Sequence, residues 1–340
     1  VKSRYALWNN KGGVGKTFLS FTIATEYARQ NPEKTIYVID MCPQANISEI
    51  ILGGNGKGAK NLSKLLQSTP RITIGGYFDE RIDSPNKKTG TEASFAVDAH
   101  SHNKGLPKNV RLVAGDPSLE IQAQAMNQIA GQNLPKNVWS NVFSWLRDLV
   151  SEIEKQHEDC AFFIDCNPSF SAYTGAALLA ADRLIVPCTA DGSSARAIDN
   201  IGGLLYGVGV PQQYSGASFY HQVSNHGMSV PKIHVVPLNR STQYDNKASK
   251  AFRAMYKEIK KRVAGLHSKQ NKFFSSDPSV GDTFIDVPDA HAVSVVVSHK
   301  GIPLQSVSVG RHDVHGVKTM VNKGPLERYR KALEKLVGLL

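Results

Sequence analysis

Lys11-Gly12-Gly13-Val14-Gly15-Lys16-Thr17 stands between the apolar run Tyr5-Ala6-Leu7-Trp8 and a stretch over 17–29 with apolar residues at Leu19, Ile23, Ala24 and Tyr27. The first run reads as a strand and the second has the spacing of a helix. Between them the glycines let the backbone curl so that successive N–H groups point inward at an anion. The helix that follows presents its positive end to the same place. Lys16 supplies charge to terminal phosphates, and Thr17 offers a hydroxyl to Mg2+, which takes oxygen ligands in near-octahedral geometry. Gly12, Gly13, Val14, Gly15, Lys16, Thr17 and Phe18 are therefore expected to line a nucleotide site. A dinucleotide reading fails, because no third glycine falls at the required spacing and Lys-Thr follows instead.

Outward from the loop, Asn31-Pro32 ends the helix, and Thr35-Ile36-Tyr37-Val38-Ile39-Asp40 is a β-branched run of the kind buried on both faces of a parallel sheet. Further strands are expected over 110–113, 160–165, 183–187, 233–237 and 302–307, and helices over 119–129, 138–153, 245–266 and 326–340. This alternation predicts an α/β fold, a mainly parallel, doubly wound P-loop NTPase sheet flanked by helices, in a single domain over 1–340. The stretch 53–108 is rich in Gly, Ser, Lys, Asn and Pro with short apolar pieces. It is expected to be an elaborated, partly mobile insertion after the second strand.

A metal-phosphate site also needs a carboxylate at the end of a neighbouring strand. Phe162-Phe163-Ile164-Asp165 delivers one, so Asp165 is expected to join Thr17 in holding Mg2+, partly through water. Asp40 ends the other strand aimed at the site. The four cysteines show neither a CxxC pair nor a Cys/His metal spacing and read as reduced core thiols. No apolar run approaches the ~18 residues of a membrane span. The first residues leave no room for a signal segment, so a cytoplasmic location is expected. A formal net charge of +11 favours a polyanionic partner.

These residues resemble the ParA/MinD family of deviant Walker A ATPases, which position plasmids, chromosomes and other cargo. The resemblance rests on Lys11 to Thr17, on Asp40 with Pro43-Gln44, on Asp165-Cys166-Asn167-Pro168-Ser169, and on the contexts of Pro187, Asn239 and Pro288. It implies ATP and Mg2+ as cofactors, catalytic roles for Lys11, Lys16 and Asp40, and adenine contacts near Asn239 and Pro288. It also implies an ATP-dependent homodimer in which Lys11 reaches the partner's phosphates, as an arginine finger does. An adaptor bound to cargo or centromere would stimulate hydrolysis. The sequence departs from the family where its second acid should stand, with Cys42 in Asp40-Met41-Cys42-Pro43-Gln44. A thiol is a poor substitute for a positioned base, whose loss costs ~10²–10⁴-fold in rate, so slow intrinsic hydrolysis is expected. Phe18 and Asn167 also replace the family's usual Thr and Pro, as changes of packing.

Between Lys247 and Lys272 nine basic residues face one acid, Glu258. At helical spacing, Phe252, Met255, Ile259, Val263 and Leu266 would turn inward. Lys247, Lys250, Arg253, Lys257, Lys260 and Lys261 would form a stripe that contacts DNA phosphates without reading sequence. A nucleoid-associated positioning protein is thus the leading expectation. The alternative is a MinD-like regulator on a membrane surface, for which the amphipathic segment over 324–340 would be the anchor; with Tyr329 as its sole aromatic, membrane attachment is not favoured. A metabolic enzyme of the wider superfamily finds less support, since neither paired cysteines nor a Cys/His glutaminase module is present.

Overall fold

In the computed structural model the chain is described over residues 2–340, apart from 133, 242, 245, 246, 249 and 280; at 240, 241, 243, 244, 247, 248 and 250–252 only the backbone element is described. The strands run β1 (Ser3–Leu7), β2 (Thr35–Met41), β3 (Ala96–Asp98), β4 (Val110–Val113), β5 (Cys160–Cys166), β6 (Arg183–Ile185), β7 (Lys232–Ser241), β8 (Gln243–Tyr244), β9 (Lys247–Ala248), β10 (Phe284–Pro288), β11 (Gly310–Val314) and β12 (Val317–Val321). Eight of them form one sheet in the order β10-β7-β6-β1-β5-β2-β4-β3. Its pairings are parallel except β3 with β4, so the mainly parallel, doubly wound α/β sheet expected from the sequence is present.

The strands alternate their side chains between two buried layers. Ala6 and Trp8 lie in one core with Tyr37, Ile39, Phe162 and Ile164, while Tyr5 and Leu7 lie in the other with Ile36, Val38 and Phe163. Burial on both faces is why these strands read as unbroken apolar runs. β1 lies between β5 and β6, and the chain leaves it in opposite directions to build the two wings of the sheet. The crevice at such a reversal, outside the carboxyl ends of the strands, is where ligands bind in open α/β sheets. The glycine loop sits there, directly after β1.

Several elements differ from the sequence reading. The strand expected over 302–307 is a 3-10 turn, Leu304–Ser306. Pro303 lacks an N–H for a ladder, Leu304 and Val307 are buried beside the helix that follows the glycine loop, Lys16–Gln30, and Arg330 Nη2 donates to the carbonyls of Leu304, Gln305 and Val307. The long helix over 138–153 is two, Val138–Phe143 and Trp145–Glu154. The stretch 53–108, read from composition as a partly mobile insertion, carries helices Lys57–Gln67 and Ile74–Asp83, the 3-10 turn Glu92–Phe95 and edge strand β3. Tyr77, Phe78 and Phe95 from it are fully buried. Tyr77 Oη donates to the Trp145 carbonyl at 2.6 Å, and Arg81 pairs with Asp148 at 2.8 Å.

The final helix, Lys323–Val337, lays Leu326, Tyr329, Leu333, Leu336 and Val337 into the core shared with the loop helix and β10. Its apolar face is therefore occupied by protein and is not presented to a lipid surface. Among the described residues no helix is long and apolar enough to cross a membrane. Leu333→Ala removes a fully buried side chain and is expected to lower unfolding free energy by about 2–5 kcal/mol, read as a drop in the urea midpoint at unchanged slope.

Candidate functional site

The loop after β1 owes its shape to two left-handed residues, Gly13 at φ 75° and Gly15 at φ 73°, with Gly15 at the cap of helix Lys16–Gln30. At Gly13 a side chain would meet open space, so the demand for glycine there comes from the dihedral and not from crowding. Lys11, Gly12, Gly13, Val14, Gly15, Lys16, Thr17 and Phe18 line a cavity of about 360 Å³, completed by Cys42, Gln44, Asn46, Ile50, Pro168 and Ser298. The expected loop residues are thus together on one wall. Ile50 and Ser298 come from distant helices and carried no local signal.

At the head of this helix Lys16 Nζ lies 3.3 Å from Asp165 Oδ1, with both side chains buried. Burial works against the Lys16 charge, but the Asp165 carboxylate more than offsets it, so the ammonium is held above its ordinary value. Ser20, one turn after Lys16 on the same helix face, donates to Asp165 Oδ1 at 2.8 Å. Asp165 Oδ2 is buried with no hydrogen-bond partner. An unmatched carboxylate oxygen on an acid paired with the loop lysine fits the donor set of a Mg2+ site, in which carboxylates act directly or through retained water. Ser20 was not singled out from sequence, although its i,i+4 spacing from Lys16 was a usable signal.

Asp40 sits opposite Asp165 in the β2–β5 register. It is fully buried and turned into its own loop, accepting from the N–H of Cys42 (3.0 Å), the N–H of Ser48 (3.1 Å) and the Ser48 hydroxyl (2.7 Å). Burial, followed by the charge of Asp165, pushes its carboxyl up to about 7 despite those bonds. Cys42 lines the cavity with Asn167 Nδ2 3.9 Å from its sulfur. Burial, followed by the charge of Asp40, pushes its thiol up to about 11, so it is protonated at neutral pH.

Lys11 is engaged within its own chain: Nζ bonds to Asp191, to Thr189 Oγ1 at 2.9 Å and to Ser194 Oγ at 3.3 Å. Partial burial opposes the Asp191 charge, but the bonds from Lys11, Ser193, Thr189 and the Ser194 N–H hold its carboxyl well below the usual range. Asn239, expected near a base, is 3% exposed and donates from Nδ2 to the Val14 carbonyl at 2.8 Å. Its amide N–H is directed at the glycine loop rather than outward. Pro288 closes β10 and is buried outside the cavity lining.

Of the proposed basic stripe, Arg253, Lys257, Lys260 and Lys261 are exposed along helix Lys250–Lys269, opposite the buried Tyr256, Ile259, Val263 and Leu266. Lys260 Nζ lies 5.3 Å from the Phe284 ring centroid. The side chains of Lys247, Lys250 and Phe252 lie outside the described residues. Met255, expected to turn inward, is half-buried, and Tyr256 takes the core position. Arg262 is paired with Asp199 at 2.7 Å and Glu258 at 3.0 Å.

A model of the AAA domain family matches residues 3–207. No curated protein matches the chain. Among solved structures it is similar to apo McdA of Cyanothece, with TM-score 0.59 and 14% identity over 98% of this chain and 100% of that one. It is also similar to a plasmid partition protein of Borrelia burgdorferi bound to AMPPNP, with TM-score 0.55 and 15% identity over 100% of both chains. Protein DIP2308 of Corynebacterium diphtheriae gives TM-score 0.56 and 17% identity over 88% of this chain and 97% of that one. At these identities the likeness is one of fold.

The raised Asp40 carboxyl has a sign that can be checked. Its proton is bound more tightly in the folded chain than in the unfolded one, so its contribution to stability is full below the unfolded value of 3.8 and is lost as pH rises through about 7. In metal-free buffer, Asp40→Asn is expected to gain on the wild type by on the order of 2 kcal/mol between about pH 5 and about pH 8, read from urea unfolding at both values.

Proposed function

The chain belongs to the AAA domain family and is a P-loop ATPase of the ParA/MinD type, and on that premise we propose that it is an ATP-switched positioning protein. It dimerises on binding ATP, coats DNA without sequence preference, and is released when a cargo-bound adaptor stimulates hydrolysis. The observation that carries this reading is the joining of a two-lysine glycine loop to a buried acid with a spare oxygen, at the head of Lys16–Gln30. When bound, Mg2+ would neutralise charge on the β- and γ-phosphates, held by Thr17 and Asp165. Lys16 binds the same phosphates. Lys11 acts across the dimer, which requires it to exchange its bonds to Asp191, Thr189 and Ser194.

The docked final helix favours DNA over lipid as the partner surface, since its apolar residues are already buried. The exposed row Arg253, Lys257, Lys260 and Lys261 supplies the cations, and a dimer doubles it. ATP-bound wild type is expected to sediment with DNA and not with anionic liposomes, and Lys16→Ala to lose the DNA interaction. Removing Lys257 and Lys261 together should reduce the slope of log affinity against log salt by about two. DNA binding indifferent to ATP or salt contradicts the proposal.

Cys42 makes hydrolysis slow, because a protonated thiol cannot accept the proton of an attacking water. Cys42→Asp is expected to raise ATP turnover by at least about tenfold with little change in ATP affinity, measured by phosphate release under saturating Mg2+ and ATP. Equal turnover in the two proteins would remove this part of the account.

A further inference from the structure

Asn239 stands at the carboxyl end of β7, and β6 lies between β7 and the strand that feeds the glycine loop. Its main chain is fixed by a 2.7 Å bond from its N–H to the Cys188 carbonyl. From that anchor its side chain donates to the Val14 carbonyl at 2.8 Å. Val14 is itself 1% exposed and lies between the two left-handed glycines. The loop is thus braced from a strand two places away.

The carbonyl of Asn239 receives a second bond, 3.3 Å from the hydroxyl of Tyr256. Tyr256 is 4% exposed and lies on the inner face of helix Lys250–Lys269, whose outer face carries Arg253, Lys257, Lys260 and Lys261. A single residue therefore contacts the phosphate loop through its side chain and the basic helix through its backbone. Each bond is buried, where its loss leaves a polar group unmatched and so is felt at the other end.

We propose that Asn239 is a positioning residue of the glycine loop and that, through Tyr256, it couples occupation of that loop to the order of the basic helix. A nucleotide that tightens the loop around Val14 acts on the residue that also holds Tyr256, so binding at one end stabilises the other. The inference rests on nucleotide binding at the loop and is independent of whether the helix binds DNA.

Hydrogen exchange with mass-spectrometric readout, with and without AMPPNP and Mg2+, tests it on the full chain. In the wild type the nucleotide should slow exchange both at 11–17 and across 253–269. Tyr256→Phe keeps the ring and should retain protection of the loop while losing about 2–10-fold of the nucleotide-dependent protection of the helix, the worth of one hydrogen bond. Asn239→Leu removes the N–H donor without adding a charge beside the loop, and should weaken AMPPNP binding by about tenfold. Should that variant fail to fold, Tyr256→Phe decides alone. A wild-type helix indifferent to nucleotide, or full helix protection in Tyr256→Phe, overturns the proposal. Failure of ATP-bound wild type to bind DNA, in a parallel titration, would count against the DNA reading only.

Discussion

A lysine and an aspartate buried together at the carboxyl edge of a parallel sheet cannot be left unpaired in a low-dielectric interior. In this chain Lys16, at the head of helix Lys16–Gln30, and Asp165, near the end of β5, meet that constraint. Breaking such a pair by removing one member strands the other charge, a loss of several kcal/mol. The surrounding elements serve its placement. The left-handed glycines turn the chain from β1 into the helix that carries Lys16, Ser20 holds one oxygen of Asp165, and the second oxygen is buried without a hydrogen-bond partner.

Much of this was legible in the sequence for a local reason. The loop, its two flanking elements and the acid at the end of β5 are each written in contiguous residues, because turn geometry and strand burial are local demands. Reading β2 and β5 as doubly buried strands succeeded since both faces need apolar side chains. What failed was non-local. Nothing near Asn239 announces that its amide reaches the Val14 carbonyl, and nothing near Lys11 announces Asp191, since each bond crosses more than 170 residues. Composition over 53–108 said little about which residues turn inward, since the exposed lysines there stand among the buried Tyr77, Phe78 and Phe95.

The amphipathic character of the final helix was read correctly, but the same pattern served both a lipid surface and a protein core. In the structure the pattern serves a protein core, with Tyr329 and Leu333 lying against the loop helix. Phe18 takes part in that packing through its ring contact with Tyr329, at 5.6 Å between centroids. The residue that departs from the family pattern after the second lysine thus ties the nucleotide cavity to the last helix. Cys42 departs at a different place, on a buried residue that lines the cavity.

The central claim is that Lys16 and Asp165 form a Mg2+-dependent nucleotide site. Calorimetric titration of ATP into wild type and Asp165→Ala, each with Mg2+ and with EDTA, tests it most directly. The account predicts that Mg2+ tightens ATP binding to the wild type by at least about tenfold, the equivalent of roughly 1.4 kcal/mol, and that this gain disappears in the variant. Binding that is equally tight with and without Mg2+ in the wild type, or an undiminished Mg2+ effect in Asp165→Ala, would contradict it.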